Sequence, residues 1–400
     1  MRRAGRDSGP RIAVVGAGIG GLTLAAALRT AGVPCVVYEQ TREFSEIGAG
    51  VQLAPNAVRP LRRLGLGPAL DEHAVRIDAV EFRTWQGASI ARTELGAECE
   101  RLFGAPYYSV HRAHLHEALR ERAEPASLRP GRRLLRVEEH ADRVRLVFED
   151  GTVHEADVVV GADGIHSVVR DALVRDAPVF SGLSAFRGLV PADRVSPAAR
   201  QPRVRLWLGP GGHFVCYPVS GGELISFAAI AALDVPPAES WSATADPASV
   251  RTAFDGWHGS VSEILHAAGQ VRHWALHDRE PLHHWSTDRL TVLGDAAHPM
   301  LPFMAQGANQ AVEDAMDLAV CLAGARLDTV PAALRRYQSL RAPRTAGIQR
   351  RSRDSAAGLH LPDGPEQQAR DEAMRRSAAP RHRAWLYSYE TEDTRSPLTR

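Results

Sequence analysis

The pattern of apolar and polar positions changes character along the chain. Arg11–Val15 is a short apolar run that breaks directly into glycines, as a buried parallel strand does. Leu22–Thr30 is Ala-rich and helix-forming, Gly32 ends it, and Pro34–Glu39 predicts a second strand. Gly48–Leu53 predicts a flexible loop, and Pro55–Leu64 a helix closed by Gly65. Ser109–Ala123 has helical periodicity, with Leu115 and Leu119 on one face. Arg143–Phe148, the Asp150-Gly151 turn signal and Thr152–His154 predict a hairpin, and Asp157–Val160 another buried strand.

From about Val179 to His273 the runs alternate. Val204–Leu208, His213–Tyr217 and Leu224–Ile230 predict an antiparallel sheet, with a polar, Pro/Ala/Ser-rich connection at Pro236–Pro247. Leu290–Leu293 returns to a buried strand. Ala308–Leu322 predicts a long helix and Pro331–Arg341 another, while Arg350–Arg381 is polar and is expected to be partly mobile.

Composition narrows the function classes. A net charge of +1 supplies no broad basic field, which argues against a nucleic-acid partner. No window approaches the roughly 18 apolar residues of a membrane span. Met1–Pro10 is polar and basic without an apolar core, so it reads as a disordered arm and not as a secretory signal. Cys35, Cys99, Cys216 and Cys321 are far apart and form no CxxC, which argues against a disulfide framework or a zinc site and for reduced thiols in the cytoplasm. His277, His283 and His284 lack acidic or cysteine partners at ligand spacing and read as surface or interdomain residues, so no metal is expected.

Three separated stretches carry the chemistry. In Gly16-Ala-Gly18-Ile-Gly-Gly21, Gly16 permits a tight turn, Gly18 lets backbone approach a pyrophosphate, and Gly21 lets helix pack on strand. Glu39 follows Gly16 at the end of the second predicted strand, where its carboxylate suits a ribose. On this motif alone FAD and NAD both fit. The second stretch is Gly161-Ala-Asp163-Gly164, which by itself also reads as a strand ending in an Asp-Gly turn. The third is Leu290-Thr-Val-Leu-Gly-Asp295-Ala-Ala-His298-Pro, continuing through Ala305-Gln-Gly307-Ala308.

In order and spacing, the three stretches resemble the FAD-contacting segments of the single-component (class A) flavoprotein aromatic hydroxylases, and in particular their salicylate hydroxylase-like branch. The likeness covers most of the chain. It implies that Asp163 and Gly164 lie at the FAD pyrophosphate, that Asp295 binds the ribityl chain, and that the helix after Gly307-Ala308 aims its N-terminus at the flavin. Many relatives have Gly-Gln-Gly where this chain has Ala305-Gln306-Gly307. Arg112, in Tyr108-Ser-Val-His-Arg112, matches a family arginine placed against FAD, and Glu46–Ala57 resembles the loop beside the flavin ring, with Arg42 just before it. The C-terminal Trp385-Leu386-Tyr387 resembles the branch's aromatic signature and is expected to bury and pin the tail.

The resemblance implies an α/β fold: a Rossmann-like, doubly wound FAD-binding domain with an inserted antiparallel β-sheet substrate domain and C-terminal helices. The expected divisions are an arm at 1–10, the FAD-binding domain at 11–178 and 274–345, the substrate sheet at 179–273 and a helical, polar tail at 346–400. It implies non-covalent FAD, NADH or NADPH as co-substrate, dioxygen, and a flavin hydroperoxide that attacks a small phenolic or heteroaromatic substrate. A base near the hydroxyl helps by making the ring more nucleophilic. His213 and Tyr217 are the catalytic candidates, because residues 213, 215 and 217 of an extended strand point to one face. Arg187 is a candidate for the substrate side, with packing or a surface pair as the other reading; His298 reads as structural more than pocket-lining. The cofactor motifs leave open a flavin epoxidase or tailoring oxygenase of a larger natural product, an FAD-dependent dehydrogenase or reductase, and a non-enzymatic flavin-binding protein.

Overall fold

The computed structural model describes residues 9–43, 49–232 and 244–391. The predicted apolar runs align in parallel in the order Leu290–Val292, Val158–Gly161, Ile12–Val15, Cys35–Tyr38, and Leu128–Arg129 extends the edge. A parallel sheet is covered on both faces, so its strands are apolar throughout; Val14, Val37 and Val158–Val160 are fully buried. The helix Ile19–Thr30 packs against Gly307–Leu322. Every position from Ile19 to Leu28 is buried, so this helix needs no polar face. Full burial of each of its leucines contributes about 1.5–3 kcal/mol.

A second sheet has eight strands in the order Thr244–Ala245, Val271–Asp278, Val179–Pro191, Leu224–Ala232, Gly212–Val219, Arg203–Gly209, Ala79–Thr84, Ser89–Glu94. It is antiparallel except where Arg203–Gly209 runs parallel to Ala79–Thr84. Its last two strands come from before residue 179, a contribution the alternation beyond 179 does not foretell. One face carries Trp207, Phe214, Cys216 and Phe227 against the helices Pro247–Ala253 and Gly259–Ala267. The other carries Tyr217 and Val219 toward Tyr107, Leu386 and Tyr387.

Several local expectations are corrected. Gly50–Leu53, expected within a flexible loop, is a strand paired with Tyr108–His111. That pairing also takes the first residues of the expected 109–123 helix, which begins at Arg112. The helix expected at 331–341 runs over Val330–Leu359, and Pro365–Arg376 is helical too, so much of the polar 350–381 stretch is ordered. Its apolar signal is weak because its inner face buries Arg341, Gln349 and Ser352 along with Leu334 and Ile348. Of the C-terminal aromatics, Tyr387 and Leu386 bury while Trp385 stays 43% exposed under Arg351. The expectations for residues 1–8, Glu46–Gly48 and 236–243 lie outside the described residues.

Candidate active site

The glycine fingerprint, the Asp-Gly segment and the Gly-Asp segment meet at the C-terminal ends of neighbouring parallel strands, where α/β sheets bind ligands. Gly16 has φ +104°, and a Cβ there would lie 2.3 Å from the Ala162 carbonyl oxygen. A Cβ on Gly21 would meet the Gly16 oxygen at 2.0 Å, and one on Gly20 would meet Leu293. These contacts exclude side chains and press the three motifs together. Gly18 differs: nothing lies within 4 Å of the corresponding position. The helix it opens has no side-chain cap and no acid in its first turn. Open space before free N–H groups at a positive helix end suits a pyrophosphate.

Glu39 stands beside this turn. Its carboxylate accepts from Ala17 N at 2.8 Å and Thr41 N at 2.8 Å. Asp163 turns toward the helix Val168–Leu173 and accepts from Ser167 Oγ and from Val168 N at 2.8 Å. Burial pushes its carboxyl up to about 6 against those hydrogen bonds. Asp163 therefore shapes the segment, while Gly164, at φ +78°, has open space beside it.

Asp295 is solvent-accessible yet ringed by protein, as the floor of a cleft is. That desolvation raises its carboxyl, with His298 and Arg112 pulling it down. Gly307 lies alongside, its Cβ position 4.0 Å from Asp295 Oδ1. The helix Gly307–Leu322, with Ala308 in its first turn, also starts without a side-chain cap or an early acid. Just before it, Ala305 adopts the left-handed region at φ +51°. An alanine pays roughly 1–2 kcal/mol for that conformation, which explains why glycine suits this position. Asn309 holds the turn: its Nδ2 donates to the Ala305 and Gln52 carbonyls, and its Oδ1 accepts from Ala54 N at 2.8 Å. The strand Gly50–Leu53 is thereby tied to the helix Gly307–Leu322. Arg112, whose N donates to Ala49 O at 2.9 Å, sits at the other end of that strand. Arg42 is exposed, its stem against Gly131.

His298, fully buried, pairs with Asp314, which also accepts from Gly294 N at 2.9 Å. Its role is structural. Asp314 and Glu313 are in turn held by Arg341 at 2.8 and 2.6 Å, and Glu313 by Arg344 at 2.7 Å. Opposite charges hold the Asp314 carboxyl down at about 2 in spite of burial. Sequence reading does not single out this group; its signal, acids and arginines on helical spacing, is indistinguishable from a solvated face.

The eight-stranded sheet packs against the segment that follows Asp295: Ala185 and Ile230 cluster with Leu301, and Tyr217 with Met300 and Met304. Register places three cross-strand rows on it: Ala185–Ile230–His213, then Arg187–Ala228–Val215, then Leu189–Ser226–Tyr217. His213, Arg187 and Tyr217 thus share the face that the period of two predicts. Tyr217 lies against Gly50, where a Cβ would approach its ring to 2.5 Å. Burial raises the Tyr217 phenol above its ordinary range, with Arg187, Ser226 and Gln52 pulling it down. The Arg187 guanidinium lies over the Trp274 ring at 5.3 Å, and its buried Nε has no hydrogen-bond partner. Desolvation lowers its pKa, Tyr217 acts to raise it and Arg112 to lower it. His213 is 4% exposed, packs edge-on to Phe303 and meets the His360 ring, Nδ1 to Nε2, at 2.7 Å. Burial pushes it down to about 3. Gln52 and Gly50 come from the Glu46–Ala57 segment that resembles a flavin-side loop, whereas His360 joins this site without a sequence signal of its own.

The four cysteines carry free thiols. No group of three or more metal-ligating side chains occurs among the described residues, and no described helix is long and apolar enough to cross a membrane.

The comparisons with known proteins agree with this geometry. The FAD binding domain family matches residues 11–352. The chain is 50% identical over 382 residues to 3-amino-4-hydroxybenzoate 2-monooxygenase from Streptomyces platensis, covering 95% of this chain and 96% of that one. It is 39% identical over 351 residues to 6-hydroxynicotinate 3-monooxygenase from Bordetella bronchiseptica, covering 86% and 91%. A salicylate hydroxylase solved as a substrate complex superposes with a TM-score of 0.80 at 29% identity, over 96% of each chain. With uncapped helix ends, an open Gly18 and the cleft floor at Asp295 fitting FAD, the protein belongs to the single-component FAD-dependent aromatic hydroxylases, monooxygenases that draw on NAD(P)H and dioxygen.

Proposed function

We propose that this protein hydroxylates a hydroxybenzoate, the amino-substituted 3-amino-4-hydroxybenzoate first, and that Arg187 and His213 hold its two ends. The observation that carries this reading is Arg187: a desolvated cation with no carboxylate partner among the described residues, on the site face beside Tyr217. Arg187 is half-buried and its inaccessible Nε is unpaired, so it has hydrogen-bonding capacity left over; a ligand carboxylate is the natural complement, and Arg recognises carboxylates with a planar fork. Ala228 separates Arg187 from Val215, leaving room on that row. The relative at 50% identity is named for a benzoate bearing amino and hydroxyl groups.

His213 and Tyr217 are four positions apart on one strand, roughly 13 Å at the usual rise. A ring carrying polar groups at opposite ends bridges such a span. Tyr217, kept protonated by its raised pKa, donates at the carboxylate end with Arg187. His213, neutral by burial, accepts the proton of the ring hydroxyl, and the ionised oxygen enriches the ring. FAD, when bound, supplies the oxygen-activating chemistry that no side chain provides. Gly16, Gly18, Gly21, Glu39 and Gly164 would frame its pyrophosphate and ribose, and Arg112, Asp295, Gly307 and Ala308 its ribityl and ring side; Asp163 supports them through its helix. In this reading residues 11–178 and 274–345 form the FAD domain except for Ala79–Thr84, Ser89–Glu94 and the end of Val271–Asp278, which belong to the eight-stranded sheet, and the enzyme works in the cytoplasm, where NAD(P)H is available.

The test is NAD(P)H oxidation by purified enzyme with 3-amino-4-hydroxybenzoate, 3-hydroxybenzoate, 6-hydroxynicotinate and 2-aminophenol, with oxygenated product and hydrogen peroxide quantified together. Coupled product from an acid, and a KM for 2-aminophenol higher by roughly thirtyfold or more, are expected. Equal turnover of 2-aminophenol removes the carboxylate clamp. No stimulation by any compound moves the assignment to a larger natural-product substrate.

A further inference from the structure

A base buried in a dry pocket has to pass its proton on. His213 is 4% exposed, so water does not collect the proton directly. Its Nδ1 lies 2.7 Å from Nε2 of His360, which caps the C-terminal end of the helix Val330–Leu359 and is partly exposed. Phe303 stands edge-on to both rings, at 5.6 Å from one and 5.7 Å from the other, and screens the pair on that side. The contact is fixed by backbone: Gly211 N donates to the His360 carbonyl at 3.0 Å, so the strand start and the helix end are joined whatever side chain 360 carries.

We propose that His360 is the outlet of a two-histidine proton relay that carries the substrate hydroxyl proton from His213 to solvent; this rests on His213 being the base proposed above. In the working tautomer, His213 Nδ1–H donates to His360 Nε2 and His213 Nε2 is the free acceptor. The substrate O–H bond breaks and an N–H bond forms at His213 Nε2. The Nδ1 proton moves to His360 Nε2, and His360 releases its Nδ1 proton to water. One proton enters and one leaves, with no change of oxidation state, and its return to the product oxygen restores the starting tautomers. Burial lowers both rings, His213 to about 3 and His360 to about 4, with His360 and Arg370 respectively adding to the effect. Neither ring therefore retains the proton at neutral pH. Arg370 is itself held by Asp371 at 2.8 Å and by the Gly358 carbonyl, and among the described residues no carboxylate pairs with His360 to trap the charge. His360 does not touch the reacting ring in this scheme; it is a positioning and relay residue.

The test uses FAD-loaded enzyme with 3-amino-4-hydroxybenzoate and no NAD(P)H, so that no turnover occurs. Ionisation of the bound phenol is followed by its ultraviolet band after a rapid pH jump. His360→Phe, which keeps a ring against Phe303, and His360→Ala are each expected to slow this step roughly tenfold or more, with ligand affinity and FAD content unchanged. Added imidazole is expected to restore the rate in His360→Ala and not in His360→Phe, an outcome that a purely structural role does not produce. If both His360 variants ionise the ligand at the parent rate while His213→Ala does not, the relay is wrong and the base stands. If His213→Ala also ionises the ligand at the parent rate, the base assignment falls and the relay with it.

Discussion

Around the helix Gly307–Leu322 the buried charges are closed on one another. Glu313 and Asp314 are fully buried, and Arg341, Arg344, His298 and Gly294 N meet their oxygens. On the inner face of the eight-stranded sheet the opposite holds: among the described residues Arg187 has an aromatic face and no carboxylate, and His213 meets only the rings of Phe303 and His360. Both regions carry desolvated ionisable groups, so burial alone does not distinguish scaffold from site. The distinguishing property is completeness. A closed network fixes the helix Gly307–Leu322, whereas an open one has capacity left for a ligand.

Two arginine substitutions set the contrast at its sharpest. Arg341→Met removes the cation that two buried carboxylates share, leaving Asp314 to His298 and Glu313 to Arg344, and is expected to cost about 3–5 kcal/mol of unfolding free energy, read by urea denaturation of FAD-free protein. Arg187→Met is expected to leave that stability nearly unchanged and to raise KM for the benzoate by about 2 kcal/mol, roughly thirtyfold. Equal destabilisation by both would erase the distinction between the regions.

Asp295→Ala probes the cleft floor between them. The FAD Kd is expected to rise about tenfold, ~1.4 kcal/mol, by titration of apoprotein with FAD; retention of full affinity would detach the Gly-Asp segment from the cofactor. Acid titration probes the open side. His213 in the folded protein sits at about 3, below its ordinary 6.5. Its neutral form is the native one, so stability from this group is present above 6.5 and declines as pH falls toward 3, because the unfolded chain binds a proton that the fold refuses. His213→Phe should flatten that acid flank by up to about 1.4 kcal/mol per pH unit; an unchanged slope would show that the ring is not desolvated. The smallest effect is expected at the hinge of the closed side, where Ala305→Gly relieves a left-handed alanine. A gain of up to about 1 kcal/mol in unfolding free energy is expected after the greater chain entropy of glycine is offset, and a loss would mean that the alanine methyl packs better than its backbone suffers.

Much of the site was readable one residue at a time. The fingerprint glycines, Glu39 and the Gly-Asp segment announce themselves because each is required by local backbone geometry: a turn at positive φ, a close strand-to-helix approach, an uncapped helix start. His213 and Tyr217 were paired by the period of a strand, which holds in any extended chain. The polar segment after residue 350 and the strand at Gly50–Leu53 were misjudged for a common reason. Hydrophobic periodicity detects burial of carbon, and these segments are held by Ser352, Arg353, Asn309 and backbone pairing instead.

The amino-acid sequence by itself determined the dinucleotide turn, the parallel strands that present it, the alternating sheet and the family to which they belong, since those depend on contacts between near neighbours or on repeated local patterns. Only the tertiary structure decided which charges are closed and which are open. His213 meets His360 across 147 residues, and Arg187 shares a face with Tyr217 through two strand pairings. Whether a buried ionisable group serves as scaffold or as site depends on what stands opposite it, and distant segments become opposite one another only when the sheet register and helix packing are complete.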